Sequence, residues 1–355
     1  LDHTGHVQIH KDDYHRRPKI HKTIDNTEDV SAYLNGNGKV AGYAPRVFAP
    51  GLAYAGNQSS PVQVMGVDPI LEPQTSRLKQ KVTDGHYFDS SPDGDGYVGV
   101  MIGASVARTL KIGVGDELII ISQGADGSIA NDIFVIRAII GNKTSYDRLG
   151  VYVPLAAAQE FLSLGNRVHE IALLLHDGDD NQDIAAAIQR DLDSLTVSPW
   201  QVVEETFFKT MQSDRQGNYF AMGIIILIVF IGVLNTVLMS VLERTREFGV
   251  IRAIGSRPFE VVKLIFLESI MMAVLSILIG AVLSLPILAF LVNIGFELPE
   301  PIEMSGISFQ DLTGRVNSFV LTAPALMILG FAALVSIPPA IRAARITPRE
   351  ALGSH

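Results

Sequence analysis

Three stretches of this chain are too long and too apolar for the surface of a water-soluble protein, and the connection between the first two is densely charged. Residues 220–242 contain no charged side chain. At about 1.5 Å per residue, a helix of that length crosses a bilayer core of about 30 Å. Residues 261–292 carry only Lys263 and Glu268, both near the start, and can span with tilt or with a kink at Pro286. A third span is predicted over residues 319–337. The connection over residues 243–260 holds four arginines and three glutamates.

Charge asymmetry orients these spans. Arg244, Arg246, Arg252 and Arg257 lie in the connection and Arg342, Arg345 and Arg349 in the tail, whereas the loop over residues 293–318 holds Glu297, Glu300, Glu303 and Asp311 against Arg315 alone. The positive-inside rule puts the arginine connection and the C-terminus in the cytoplasm. Residues 1–218 then form a domain on the far side of the membrane, and residues 219–352 form the membrane domain. An outer domain of that size needs an upstream segment to export and tether it, so a first transmembrane helix is expected ahead of Leu1. Gly353, Ser354 and His355 read as a tag remnant.

Composition divides along the same line. The mean hydropathy of +0.28 is high for a soluble protein. The nine basic and nine acidic residues from position 220 onward cancel, so the net charge of −9 sits wholly on the outer domain. An acidic domain argues against nucleic acid as a partner, because phosphate binding needs basic clusters. Cysteine is absent. An exported domain of this size without disulfides depends on its apolar core.

The outer domain reads as α+β. Val7 and Ile9 alternate with polar neighbours as in a half-buried strand, and residues 62–67 repeat the habit before an Asp68-Pro69 turn. Residues 117–122 and 133–140 are Ile/Val-rich runs joined by a longer loop, a hairpin pattern within a β-rich subdomain predicted over residues 98–155. Residues 156–164 read as a helix stopped by Gly165, residues 170–176 as a strand, and residues 181–195 as a helix with Ile184, Ile188 and Leu192 on one face. Residues 200–216 lead as a stalk toward the membrane.

The run from Glu243 through Phe248, Gly249, Arg252 and Gly255 to Ser256 resembles the cytoplasmic coupling segment of the FtsX/MacB-type ABC transporter permeases. The run from Pro339 to Leu352 resembles how those permeases end. The segments from Gly5 to His10, Gly66 to Pro69, and Ile102 to Asp116 resemble the lipoprotein-releasing branch, the LolC/LolE-like permeases. The resemblance covers nearly the whole chain. It implies an integral membrane protein with an α-helical transmembrane bundle and a large α+β periplasmic domain of MacB type, in the bacterial inner membrane, with a fourth span preceding the domain. It also implies a dimer, either homodimer or heterodimer, docked on separate LolD-like ATPase subunits. ATP and Mg would be held by those subunits and no cofactor by this chain. Movement of the ATPases would pass through the membrane to the outer domains, which extract acylated lipoproteins and hand them to a periplasmic carrier. The resemblance also keeps two alternatives open, a MacB-like efflux component and an FtsX-like mechanotransmitting regulator of a periplasmic hydrolase.

Read from its residues, the coupling segment interleaves Phe248, Val250, Ile251 and Ile254 with charges, so a short helix along the membrane face can pack one side and present the other. The competing reading is a polar loop with positive-inside arginines. On the docking reading, Glu243, Arg244, Arg246, Glu247, Phe248, Arg252, Ile254 and Arg257 contact the ATPase. No Gly-x-x-x-x-Gly-Lys-[Ser/Thr] run occurs, so these residues build no P-loop of their own, and no catalytic residue is expected.

The first span offers only Asn235, Thr236 and Ser240 as polar groups and the third only Thr322 and Ser336, without the paired ionisable residues of ion pathways. Glu268 is the exception, read either as a polar lock near the cytoplasmic face or as a carboxylate wet at the headgroups or paired with Lys263. Phe220 and Ile224 on one span and Leu288 to Leu291 on the next are candidates for an acyl-chain path at the outer ends. His3, His6, His10, His15 and His21 crowd the first 21 residues. They read as surface histidines of a strand and loop, and no metal is expected. Residues 123–131, where the carrier-recruiting family member has an extended hairpin, are short here, which puts carrier docking through them in doubt.

Overall fold

The computed structural model describes residues 3–88, 96–142, 145–178, 180–304, 307–314 and 316–345. The tag-like Gly353 to His355, the C-terminal run beyond Arg345, and Arg315 lie outside the described residues. The elements of the first part are β1 (Val7–His10), α1 (Thr27–Gly36), β2 (Val40–Ala55), β3 (Gln58–Val67), α2 (Glu72–Thr75), β4 (Val82–Gly85), β5 (Val98–Gly103), α3 (Ala104–Leu110), β6 (Glu117–Gln123), β7 (Ile129–Ile140), β8 (Gly150–Pro154), α4 (Leu155–Phe161), β9 (Glu170–Leu175), α5 (Asn181–Asp191), β10 (Thr196–Pro199) and α6 (Trp200–Val203). There follow α7 (Glu205–Glu243), α8 (Thr245–Ala253), α9 (Pro258–Asn293), β11 (Phe296–Met304), β12 (Ile307–Leu312) and α10 (Ser318–Arg345). Two compact units part within α7, between Met211 and Gln212.

The strands of the first unit hydrogen-bond in the order β10-β1-β9-β2-β3-β8-β5-β7-β4, with β6 bridging β2 and β7. β2 decides this topology. Its first half pairs with β9 from Val40 to Arg46, and its second half pairs with β6 from Gly51 to Tyr54, while β3 runs along its other edge from Arg46 to Ala55. The pairings β2-β3-β8-β5-β7-β6-β2 therefore close on themselves as a six-stranded ring. Closure satisfies backbone groups that an open sheet leaves at its edges. Residues 98–155, the stretch expected to be β-rich, supply β5 to β8, and β2 and β3 complete the ring. Val47, Val64, Val100, Ile102, Ile120, Phe134, Ile136 and Val151 fill one continuous core with the rest of the unit.

The β6/β7 hairpin is antiparallel from Glu117↔Val135 to Gln123↔Ile129. Its turn is tight, with Gly127 at φ 84° and Asp126 accepting from the Ser128 backbone N–H at 3.0 Å. The helix expected at 156–164 spans Leu155–Phe161 and ends through Ser163 and Gly165, both at positive φ. The helix expected at 181–195 ends at Asp191, and Ile184 and Ile188 are buried as the periodicity requires.

Among the described residues three helices, Glu205–Glu243, Pro258–Asn293 and Leu321–Arg345, are long and apolar enough to cross a membrane. Of the expected stalk, residues 200–203 form α6, and the part from Glu205 continues into the first span as one helix. α9 passes through Pro286 without ending. α10 extends the expected third span through Pro338 and Pro339 to Arg345. The acidic loop between the second and third spans contains the two-stranded β11/β12 sheet.

Candidate functional site

The charged connection folds as an elbow. α7 stops at Glu243, and Arg244, at φ −98° and ψ 14°, leaves the helical region before α8 begins. Thr245 secures the junction by donating its hydroxyl to the Val241 carbonyl at 3.1 Å. α8 runs only to Ala253, and Gly255 takes φ 107°, a conformation that a side chain disfavours. Pro258 then starts α9 in the first turn, where its missing N–H is no loss, and Glu260 accepts from the Arg257 backbone N–H at 2.9 Å.

Two side chains fix α8 in place. Phe248 is 2% exposed and packs with Val237 and Val241 of α7, Val261 and Ile265 of α9, and Ala340 and Ala343 of α10. The two alanines let α10 approach closely. Arg244 donates from one nitrogen to both carboxylate oxygens of Glu268, at 2.8 and 2.9 Å, and from Nε to Glu247 at 2.9 Å. Its guanidinium also lies 5.6 Å from the centre of the Phe248 ring. Glu268 is thus held by Arg244, which corrects the expectation of Lys263 as its partner.

The eight residues expected to contact the ATPase separate into two groups. Arg244 and Phe248 turn inward and fasten the elbow. Arg252 is partly buried and donates to the Ser256 carbonyl at 3.0 Å, closing the turn. Glu243, Arg246, Glu247, Ile254 and Arg257 are exposed. Ile254 is 81% exposed, and Phe259, which sequence reading passed over, is 74% exposed. The overlooked signal is that Phe259 directly follows a proline at the helix start, where the first turn has no preceding turn to cover it.

At the other ends of the spans, Phe220 and Ile224 of α7 are exposed, while Leu288 and Leu291 of α9 are partly buried. The Leu291 carbonyl accepts from the Gly314 N–H at 2.9 Å.

The first unit holds an ion network that sequence reading also missed. Arg46, 1% exposed, donates to both oxygens of Glu72 at 3.0 and 2.7 Å, to Glu170 at 3.1 Å and to the His3 carbonyl at 2.6 Å. Nearby, Lys81 donates to Asp147 at 2.6 Å, and the Tyr152 hydroxyl donates to the same carboxylate. Burial pushes Glu170 up to about 6 despite Arg46. Burial, with the Arg46 charge beside it, lowers His3 to about 4. Of the N-terminal histidines, His21 is exposed as expected, His3, His6 and His15 are partly buried, and His10 is enclosed. His10 is fully buried and stacks on His15 with ring centres 5.1 Å apart, and the ring nitrogens of both are buried without hydrogen-bond partners. Among the described residues no three His, Cys, Asp or Glu side chains gather as a metal site.

A family model of the MacB-like periplasmic core domain matches residues 1–191, and one of the FtsX-like permease C-terminal matches residues 219–348. The chain belongs to the FtsX/MacB-type ABC permease family. It is similar to the lipoprotein-releasing system transmembrane protein LolE of Haemophilus influenzae, at 23% identity over 94% of this chain and 82% of that protein. LolC of Xylella fastidiosa is 24% identical over 88% of this chain and 78% of that protein. The macrolide export ATP-binding/permease protein MacB 2 of Aeromonas hydrophila is 26% identical over 92% of this chain, which spans 48% of that protein. A crystal structure of the periplasmic region of MacB from Actinobacillus actinomycetemcomitans superposes at a TM-score of 0.42 and 11% identity, covering 58% of this chain and 94% of that one. Membership makes the chain a membrane permease with a domain outside the cytoplasm. It implies a partner ATPase and no catalytic activity of the permease itself.

Proposed function

We propose that this chain is a permease subunit of an ATP-driven complex that extracts acylated lipoproteins from the outer leaflet of the inner membrane toward the outer membrane. The observation that carries this reading is its match along most of its own length and about four-fifths of LolE, a lipoprotein-releasing transmembrane protein. In this reading the three spans work with the fourth that the family resemblance implies, and a second permease subunit completes the dimer. The elbow receives the motion. Ile254, Phe259, Glu243, Arg246 and Arg257 form the surface offered to an ATPase, and Phe248 with Arg244 transmits displacement of α8 to all three spans. Phe220, Ile224, Leu288 and Leu291 supply the acyl-chain path. The short turn of the β6/β7 hairpin favours a partner subunit, or a homodimer, that does not recruit a periplasmic carrier through it.

The test is reconstitution of the complex, purified with its neighbours, in liposomes carrying a triacylated lipoprotein. ATP-dependent appearance of that lipoprotein in the soluble fraction supports the reading. A complex that turns over ATP and leaves the lipoprotein in the membrane refutes it. The similarity to MacB 2 favours efflux as the second reading, which an adaptor protein among the copurifying partners and altered drug susceptibility would support.

A further inference from the structure

Positive charge collects at the elbow end of the spans. From Glu243 to Glu268, together with Arg342 and Arg345, seven cations stand against four carboxylates, a surplus of three. Internal pairing does not use up the cations. Arg244 takes both Glu247 and Glu268, and Glu260 accepts from the Arg257 backbone N–H. Among the described residues the side chains of Lys263, Arg342 and Arg345 make no ion pair or hydrogen bond, and all three are exposed.

The packing of α9 and α10 puts these three cations at one depth. Val261 and Ile265 of α9 and Ala340 and Ala343 of α10 all pack with Phe248. Lys263 falls between the first two in sequence and Arg342 between the second two. At about 100° per residue, Lys263 points to the side of α9 away from Phe248, and Phe266 and Leu267 continue that face one turn on. Both are exposed. On α10 the exposed Leu334, Ile337 and Ile341 form a stripe at helical spacing, and Arg345 follows four residues after Ile341. Each helix thus carries an exposed apolar stripe that ends in unpaired positive charge.

A long basic side chain in such a place lays its stem along apolar surface and holds its charge at headgroup level. The counter-charge available at that level is lipid phosphate. A second copy of this chain would bring the same positive surplus and be repelled, and a water-soluble partner does not reach the apolar turns beyond the cations. We propose that this band binds anionic phospholipid, with headgroup phosphate on Lys263, Arg342 and Arg345 and acyl chains along the two apolar stripes. The site rests on α9 and α10 being membrane spans and is independent of the reading of the cargo.

The test is native mass spectrometry of the full chain in nonionic detergent, titrated with dioleoyl phosphatidylglycerol, dioleoyl phosphatidylcholine and water-soluble glycerol phosphate. Phosphatidylglycerol should bind at least tenfold tighter than phosphatidylcholine, since each basic residue near a headgroup is worth about fivefold. Lys263→Gln should weaken phosphatidylglycerol by about fivefold, and Arg342→Gln combined with Arg345→Gln by about 25-fold. Binding of phosphatidylcholine should be unchanged in every variant, which also reports an intact protein. Equal binding of the two lipids, or a preference that survives both sets of substitutions, overturns the proposal. So does an equal loss from Arg215→Gln, an exposed arginine toward the other end of α7, because it would show a general attraction to positive charge. Glycerol phosphate binding as tightly as phosphatidylglycerol would make the ligand a soluble phosphate, and a lipid preference present in the monomer and absent in a dimer would give the face to a second copy. Either result overturns the assignment to lipid.

Discussion

Phe248 and Ile254 stand six positions apart on the same short segment and have opposite fates, one at 2% and the other at 81% exposure. Truncating Phe248 to alanine removes a ring packed among three helices and should cost about 3–5 kcal/mol where the cavity stays open. The expected result is a lowered unfolding midpoint in detergent together with loss of ATPase stimulation. Ile254→Asp should leave the midpoint unchanged and weaken only the ATPase, because no intramolecular contact is lost. If both substitutions lower the midpoint equally, the division between anchor and docking surface is wrong. The Arg244–Glu268 pair is about two-fifths exposed on each side, so screening limits its worth. A double-mutant cycle with Arg244→Met and Glu268→Gln should return a coupling of about 0.5–1 kcal/mol. Sequence alone did not separate these residues. In a helix as short as α8, periodicity leaves the direction of the buried face open, and the partners that settle it, Val261 and Ala340, come from other spans.

At the scale of elements, the long signals were legible and the long-range pairings were not. The three spans follow from length and apolarity, the β6/β7 hairpin from two Ile/Val runs, and the inner face of α5 from its spacing of isoleucines. β2 was missed because Pro45, Pro50, Gly42 and Gly51 break its pattern, and its sixteen residues serve different partners on the same edge along their length. Ring closure depends on those partners, which a local window cannot see. The elbow's own turn gives a direct test. Gly255 has open space around the position of a Cβ, so the cost of Gly255→Val is backbone strain alone, about 1–3 kcal/mol. Gly255→Asn should recover part of that loss, measured as thermal midpoint, since asparagine tolerates positive φ better. On α7, Ile224→Glu should abolish lipoprotein release if the acyl path is correctly placed. Normal release by a properly inserted protein would remove Ile224 from the path.

For the molecule as a whole, the buried histidines set its acid response. His10 is held down to about 4 by burial and by the neighbouring His15, against an unfolded value near 6.5. Between these values the unfolded chain binds the proton that the folded chain refuses. This contribution is fully present above pH 6.5 and is lost as pH falls toward 4, by about 3 kcal/mol. Glu170 works the other way, because its folded value near 6 lies above the unfolded one, so its protonation favours the fold as pH drops through 6. His10→Phe should therefore flatten the acid limb of a stability profile between pH 6.5 and 4, checked by chemical denaturation across that range. An unchanged limb would show that His10 is protonated in the fold.

β1 lies between β9 and β10, paired to strands that begin at Glu170 and Thr196. The earliest strand of the sheet can find no partner until the latest ones have been made and carried across the membrane. Loop closure over such separations is slow, and an unpaired strand invites the wrong neighbour. The outer domain therefore completes its fold at the end of export, and its N-terminal segment, with five of the chain's nine histidines, must travel unprotected until then.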